Sequence, residues 1–223
     1  MFTGIKQFIR GKVSAFGFMI RYGYGHLIPV AVVKYLYNKL VLPKYGIDPW
    51  HDLPAELRPH AMDIVHFINK RVQEDFVVVE IGCGVGDILS KVQKGTCIGF
   101  DINPSVVQAA QDLHSNTRTS YRIGGFPELI KLKLERIDFL VCMQVLHHVS
   151  SAQLRQYLEG LLQECEVRTI CVDRLHLPDH YDHDFADLLP ECYTLVSDKT
   201  YKHPDFTGPQ NLIYTRTDIV DQV

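Results

Sequence analysis

The 223-residue sequence predicts an α/β fold built on a doubly wound, mostly parallel sheet of seven strands. Between residues 76 and 172, short runs rich in β-branched residues alternate with stretches that carry apolar residues at helical spacing. Strands that alternate with helices pair in parallel through right-handed crossovers. The last two strand-like runs, 192–196 and 211–215, have little helical signal between them, which predicts an antiparallel hairpin at one edge of the sheet.

The individual elements follow from local spacing. Strands are predicted at 76–81, 96–100, 121–123, 137–143 and 169–172. Helices are predicted at 87–93, at 104–113 with Pro104 near the start, and over the apolar positions from Leu154 to Cys165. An earlier helix that carries Ile64 and Val72 leads into the domain.

Charge divides the chain into two parts. Residues 1–47 contain seven Lys or Arg and no acidic residue, whereas the rest is acidic overall. We therefore predict a basic, helical segment over residues 1–58 and an α/β domain over residues 59–223. The segment is typical of a helix lying on a membrane surface or forming a lid, or of helices packed on the core with solvated lysines. Because the domain is acidic, no nucleic-acid partner is expected.

Cysteine usage and hydropathy bear on the environment of the protein. The six cysteines form no C-x-x-C pair, so the sequence predicts neither a disulfide framework nor a zinc site. It predicts a reducing, cytoplasmic setting. No stretch reaches the roughly 18 uninterrupted apolar residues of a membrane span, since Lys34 and Lys39 interrupt the best candidate. We expect a cytoplasmic protein that is soluble or attached to the membrane surface.

A glycine-rich turn follows the first strand of the domain. Residues 77–87 read VVVEIGCGVGD, so Glu80 stands two residues before the first of three glycines spaced G-x-G-x-G. The dinucleotide fingerprint G-x-G-x-x-G would need a glycine at position 87, which is Asp87. Asp101 ends the next strand, 19 residues after Gly82, where a carboxylate can accept both hydroxyls of a ribose.

This arrangement resembles motif I of class I S-adenosylmethionine-dependent methyltransferases, and the resemblance extends over roughly residues 60–215. It implies that the glycines line the methionine and ribose portions of S-adenosylmethionine and that Glu80 holds the amino group. Many relatives have Gly-Asp after the third strand where this chain has Gly124-Gly125, so adenine contacts are expected from backbone groups and Ile102. The predicted cofactor-binding residues are Glu80, Gly82, Cys83, Gly84, Gly86, Asp101, Ile102, Gly125, Phe126 and Met143.

A histidine pair follows the fourth strand. His147 and His148 stand at the carboxyl end of that strand, in the ligand crevice of an open α/β sheet. His147 matches a general base of some O-methyltransferases, and a neutral imidazole can take a hydroxyl proton. We therefore predict methyl transfer to a hydroxyl of a small molecule or glycan, with His147 or His148 catalytic. The alternative is a non-catalytic module that binds S-adenosylmethionine or a protein partner; the glycine spacing disfavours a nicotinamide-dependent oxidoreductase.

Two further segments bear on the acceptor. Residues 176–183 are dense in His and Asp, which suits substrate contact or metal ligation, but their spacing matches no standard metal site, so none is predicted. Residues 45–51 resemble a motif of small methyltransferases of cell-surface glycan assembly. With the basic segment 1–47, this motif predicts peripheral membrane contact.

Overall fold

The computed structural model describes residues 17, 19–48, 51, 53–174, 180–202 and 207–218. Part of the predicted basic segment (residues 1–16), part of the 45–51 motif (residues 49 and 50) and part of the His-rich loop (residues 176–179) lie outside the described residues.

The core is a seven-stranded sheet in the order β3-β2-β1-β4-β5-β7-β6. Its strands are β1 (Val77–Ile81), β2 (Thr96–Asp101), β3 (Thr119–Ile123), β4 (Arg136–Cys142), β5 (Glu166–Arg174), β6 (Tyr193–Lys202) and β7 (Thr207–Arg216). The first five strands pair in parallel, and β7 pairs antiparallel with both β5 and β6. The predicted doubly wound sheet with an antiparallel edge hairpin is confirmed.

Helices cover both faces of the sheet. They are α1 (Ile28–Val41), α2 (Pro59–Asn69), α3 (Pro104–His114), α4 (Phe126–Lys131), α5 (Ser151–Glu164) and α6 (Phe185–Leu188). Successive strand side chains point to opposite faces, so Val78 packs in the core layer that contains α2, and Val79 in the layer that contains α5. This arrangement leaves the carboxyl ends of the parallel strands at one edge, the usual ligand crevice of such sheets.

The prediction of a helix at 87–93 is wrong. Only a short 3₁₀ turn, Leu89–Lys91, forms there. In an α-helix the Asp87 carbonyl would accept the backbone N–H of Lys91, but here it accepts the Ser90 hydroxyl and the Lys91 ammonium at 2.9 and 3.0 Å. Such side-chain bonds offer the backbone an alternative to the helical pattern. No regular helix therefore follows the glycine-rich turn.

The described part of the N-terminal segment is helical, with α1 as its main element. Among the described residues, no helix is long and apolar enough to cross a membrane. An ion-pair network ties α1 to the domain: Lys34 lies 2.5 Å from Glu56, whose other oxygen lies 3.4 Å from Lys91, which pairs with Asp87 at 2.5 Å. The segment is thus joined electrostatically to the end of the glycine-rich turn.

A second junction centres on Asp63 of α2. Its carboxylate accepts hydrogen bonds from Tyr24 in the N-terminal segment and from Tyr201 in β6, and it pairs with Lys199, also in β6. Burial opposes ionisation of Asp63, but these donors outweigh it and lower its pKa. One carboxylate therefore holds the N-terminal segment, α2 and the edge hairpin together.

Candidate functional site

The glycine loop, residues 82–86, connects β1 to the 3₁₀ turn, and its three glycines have positive φ values. Two of them are required by packing: a Cβ at Gly82 would lie 2.6 Å from Val145, and one at Gly86 would lie 2.5 Å from the Tyr121 ring. A Cβ at Gly84 would make only an ordinary contact with His51, at 3.5 Å. Gly84 is therefore the position where the loop is open to a ligand.

Asp101, at the end of β2, fixes the loop. One oxygen accepts the backbone N–H of Gly84 at 3.0 Å, and the other accepts that of Asn103 at 2.9 Å. Each carboxylate oxygen has about two acceptor positions, so both can still accept a hydroxyl. Because Asp101 is half-buried, its free positions are reachable. The structure thus brings Asp101 and Gly84 together, as the sequence predicts.

Glu80 lies on β1 directly below the loop and is buried. Its Oε2 atom has no hydrogen-bond partner among the described residues. Burial raises its pKa well above the ordinary value, and the Arg58 guanidinium opposes that shift. A buried carboxylate oxygen without a partner is costly, so a ligand that brings a cationic donor, such as the amino group of S-adenosylmethionine, fits this position.

Arg58, the residue just before α2, carries a positive charge close to Glu80, and the sequence did not predict its role. Its guanidinium lies 3.4 Å from the Gln144 side chain and 3.6 Å from Asp87. Burial favours the neutral form of Asp87, yet Lys91 and Arg58 outweigh it and lower its pKa to about 2. A lone arginine before a proline carries no sequence signal, because its partners stand 29 and 86 positions away.

The predicted adenine side is more open. Ile102 is 82% exposed, so its side chain offers apolar surface at the end of β2. Gly125 has open space where a side chain would be, and its N–H is capped by Glu128 at 3.0 Å. The Phe126 ring is buried and stacks on Tyr157, so its side chain packs in the core instead of offering an adenine contact. The remaining two predicted residues are buried: Cys83 lies within the glycine loop, and Met143 directly follows β4.

A histidine cluster occupies the end of β4. His147 and His148 lie in a 3₁₀ turn after the strand, with ring centroids 3.9 Å apart, and His180 from the loop after β5 lies 4.8 and 5.2 Å from them. Burial and the neighbouring imidazoles lower the pKa of His147 to about 4. The ring is therefore neutral at cellular pH and can accept a proton.

Buried polar groups line the space between this cluster and α2. Asp173, at the end of β5, accepts the Gln144 N–H at 2.7 Å, while its second oxygen has no partner among the described residues. Burial raises the pKa of Asp173 to about 7. Both ring nitrogens of His60 and the Asn211 carbonyl oxygen are also unpartnered within the described residues. Gln144 itself has a φ of 57°, a strained conformation for a non-glycine residue.

Comparisons with known proteins agree with this geometry. A methyltransferase-domain family matches residues 78–166. A ubiquinone biosynthesis O-methyltransferase of Xylella fastidiosa (strain M23) is 30% identical over 109 residues, which cover 45% of this chain and 44% of that relative. The corresponding enzyme of Hahella chejuensis (strain KCTC 2396) is 30% identical over 115 residues, 45% of each chain. The chain thus spans less than half the length of these relatives.

A solved structure shows the same fold. Magnesium protoporphyrin IX methyltransferase from Synechocystis PCC 6803 with bound SAM superposes with a TM-score of 0.60 at 16% identity, covering 82% of this chain and 91% of that one. The matched residues 78–166 run from β1 to the start of β5 and include α3 to α5 of this fold. The predicted fold is confirmed, and the matches support the predicted methyltransferase family with S-adenosylmethionine as its cofactor. The glycine loop, Glu80 and Asp101 all lie inside the matched segment.

Proposed function

We propose that this chain transfers the methyl group of S-adenosylmethionine to a hydroxyl of a small-molecule or glycan acceptor. The proposal is carried by one observation: a site that suits the cofactor and a site that suits proton removal lie next to each other at the same edge of the sheet. The glycine loop with Glu80 and Asp101 suits the cofactor, and the histidine pair after β4 suits a hydroxyl that must lose its proton.

On the cofactor side, each predicted contact has a chemical reason. Asp101 accepts the ribose hydroxyls with the acceptor positions that Gly84 and Asn103 leave free. The unpartnered Oε2 of Glu80 accepts the methionine amino group. Arg58, which stands close to Glu80, pairs with the methionine carboxylate, since a guanidinium presents donors in carboxylate geometry. The bound cofactor supplies an activated methyl group on a sulfonium sulfur.

On the acceptor side, His147 or His148 takes the hydroxyl proton as the oxygen attacks the methyl carbon. Neutral imidazole is the form required, and burial holds His147 in that form. The relatives named O-methyltransferases support an oxygen acceptor. The unpartnered polar atoms of Asp173, His60 and Asn211 support a polar acceptor, because each would gain a hydrogen bond on binding.

The proposal includes a cytoplasmic location and contact with a membrane surface through α1. This helix exposes Val30, Val33, Leu36, Tyr37 and Leu40, with Leu40 83% exposed. The surrounding residues 1–47 carry only basic charges, which suits an anionic bilayer. An acceptor attached to lipid would be reached from that position.

Methyl transfer is tested with S-adenosylmethionine carrying a labelled methyl group and a panel of aromatic and sugar alcohols, each paired with an analogue that lacks the hydroxyl. We expect label on the hydroxyl member of a pair alone, and slower transfer by the Asp101→Ala variant when S-adenosylmethionine is limiting. Binding of S-adenosylhomocysteine without transfer to any acceptor would instead support the non-catalytic module. Transfer to the analogues would overturn the choice of a hydroxyl.

Membrane contact is tested by co-sedimentation with vesicles of phosphatidylglycerol or of phosphatidylcholine. We expect binding to the anionic vesicles only, and its loss in the Leu40→Glu variant. Val196→Glu is the matched control, because Val196 is an exposed apolar residue of the edge hairpin. Equal binding by wild type and Leu40→Glu would remove α1 from the proposal.

A further inference from the structure

Three histidines from two separate segments converge at the end of β4. His147 and His148 come from the turn after that strand, and His180 comes from the loop after β5. One ring nitrogen from each can be chosen so that all three lie within 4.8 Å of one another. The cluster is formed by the fold, since 32 positions separate His148 from His180.

The loop that carries His180 is anchored to the histidine pair. The N–H of Tyr181 donates to the His147 carbonyl at 3.0 Å. The buried His183 ring lies 3.0 Å from the Leu146 carbonyl through Nε2 and 3.1 Å from the Ser151 hydroxyl through Nδ1. Arg174 pairs with Asp182 in the same loop. These contacts place His180 above the pair independently of its own side chain.

The imidazoles of the cluster have no competing partners. Among the described residues, His147, His148 and His180 make no side-chain hydrogen bond and no ion pair, although each packs against the other two. No hydrogen bond joins the three rings among the described contacts, so the ring nitrogens remain available to a ligand. A metal ion would use all three lone pairs at once.

We propose that His147, His148 and His180 bind one divalent first-row transition metal ion, such as zinc. Nitrogen donors favour this class over magnesium or calcium, which prefer oxygen. Zinc–nitrogen bonds of about 2.1 Å place tetrahedral ligand atoms about 3.4 Å apart, so the rings must approach by roughly 1 Å. His148 and His180 are exposed and can rotate to do so.

The ion would also act in the reaction, and this part rests on the proposed function. Three protein ligands leave a fourth position open, which is typical of catalytic zinc sites. An acceptor hydroxyl placed there has a lowered pKa and releases its proton to water. Its oxygen then bonds to the methyl carbon while the carbon–sulfur bond breaks, and the electron pair stays on sulfur as a neutral thioether. The ion then replaces the imidazole as the group that promotes proton loss.

Metal binding is tested without any acceptor, by titrating metal-stripped protein with zinc chloride in a calorimeter and with cobalt(II) in a spectrophotometer. We expect one equivalent of zinc, visible cobalt bands of a tetrahedral site, and at least a tenfold loss of affinity in His148→Ala and in His180→Ala. His114→Ala, at the end of α3, is the matched control and should bind as wild type does. S-adenosylhomocysteine affinity, measured in parallel, reports that each variant is folded.

Unchanged zinc affinity in both His148→Ala and His180→Ala would overturn the proposal. The outcome is separable from the proposed function, because a protein that methylates a hydroxyl equally well with and without zinc keeps its activity and loses only the metal role. Conversely, one equivalent of zinc bound through these histidines supports the site even when no acceptor is methylated.

Discussion

The two halves of the crevice differ in how their polar groups are satisfied. In the cofactor half, made of Glu80, the glycine loop and Asp101, backbone N–H groups and packing fix most atoms, and one oxygen of Glu80 is unpartnered among the described residues. In the acceptor half, made of Gln144, the three histidines and Asp173, the described contacts include no side-chain hydrogen bond to the three rings and leave one Asp173 oxygen unpartnered. The cofactor half is therefore mostly fixed before a ligand binds. The acceptor half has polar groups that only a bound ligand would pair.

This difference has a thermodynamic meaning. Buried polar atoms without partners destabilise the folded state. Groups that gain a partner only when a ligand binds therefore lower the stability of the ligand-free protein. We therefore expect substitutions in the cofactor half to destabilise the fold or to weaken cofactor binding. Removing a polar group from the acceptor half is expected to stabilise the protein while impairing function.

The largest expected effect is on stability, at Gly86. In Gly86→Ala, a Cβ would lie 2.5 Å from the Tyr121 ring at a φ of 81°. The strained backbone costs roughly 1–2 kcal/mol and the overpacking roughly 1–3 kcal/mol, so we expect a loss of about 2–5 kcal/mol in urea unfolding.

Gly125→Ala is the matched control for that experiment. Gly125 has a φ of −152° and open space around the added carbon, so its change should stay within about 0.5 kcal/mol. Equal losses at the two glycines would contradict the packing reason given for Gly86.

The next effect is on cofactor affinity. Asp101→Ala removes the ribose acceptor and the bond that fixes Gly84. Hydrogen bonds to charged groups contribute about 1.5–3 kcal/mol, so affinity for S-adenosylhomocysteine should fall roughly 10- to 100-fold in calorimetry. Glu159→Ala, an exposed acid on α5, should change nothing. An Asp101→Ala variant with wild-type affinity would remove Asp101 from the cofactor half.

A pH dependence of stability sharpens the comparison further. Asp173 has an ordinary pKa of 3.8 and a folded pKa of about 7, because burial disfavours its charge. Between these values the folded protein keeps a proton that the unfolded chain has released, so this group lowers stability as pH rises from about 4 to about 7, and the loss persists above.

Asp173→Asn keeps the neutral form at every pH. The variant should match wild type in urea unfolding near pH 4 and become progressively more stable than wild type up to pH 8. Because all other groups titrate equally in both proteins, the difference between them isolates Asp173. A difference that does not grow between pH 4 and pH 8 would show that the pKa of Asp173 is not raised in the fold.

The sequence predicts the cofactor half well because its residues are close along the chain. Glu80 and Asp101 lie near the carboxyl ends of β1 and β2, and Gly84 lies in the loop just after β1. Parallel strands bring these ends to one edge of the sheet. The acceptor half is different: His147 and His148 are visible in the sequence, but His180 joins them only through the fold.

Two other misses have the same origin in side-chain contacts. Arg58 meets Gln144 across 86 positions, which no local pattern reports. The helix predicted at 87–93 fails because Ser90 and Lys91 bind the Asp87 carbonyl through their side chains, which apolar spacing does not reveal.

Asp63 couples the N-terminal segment to the edge hairpin. Tyr24, Lys199 and Tyr201 all depend on one carboxylate, so an opening of the N-terminal segment removes a donor from the group that also holds the edge hairpin. Amide hydrogens in β6 should therefore exchange faster whenever residues around Tyr24 detach. Detachment of the N-terminal segment would in this way loosen the edge strand β6.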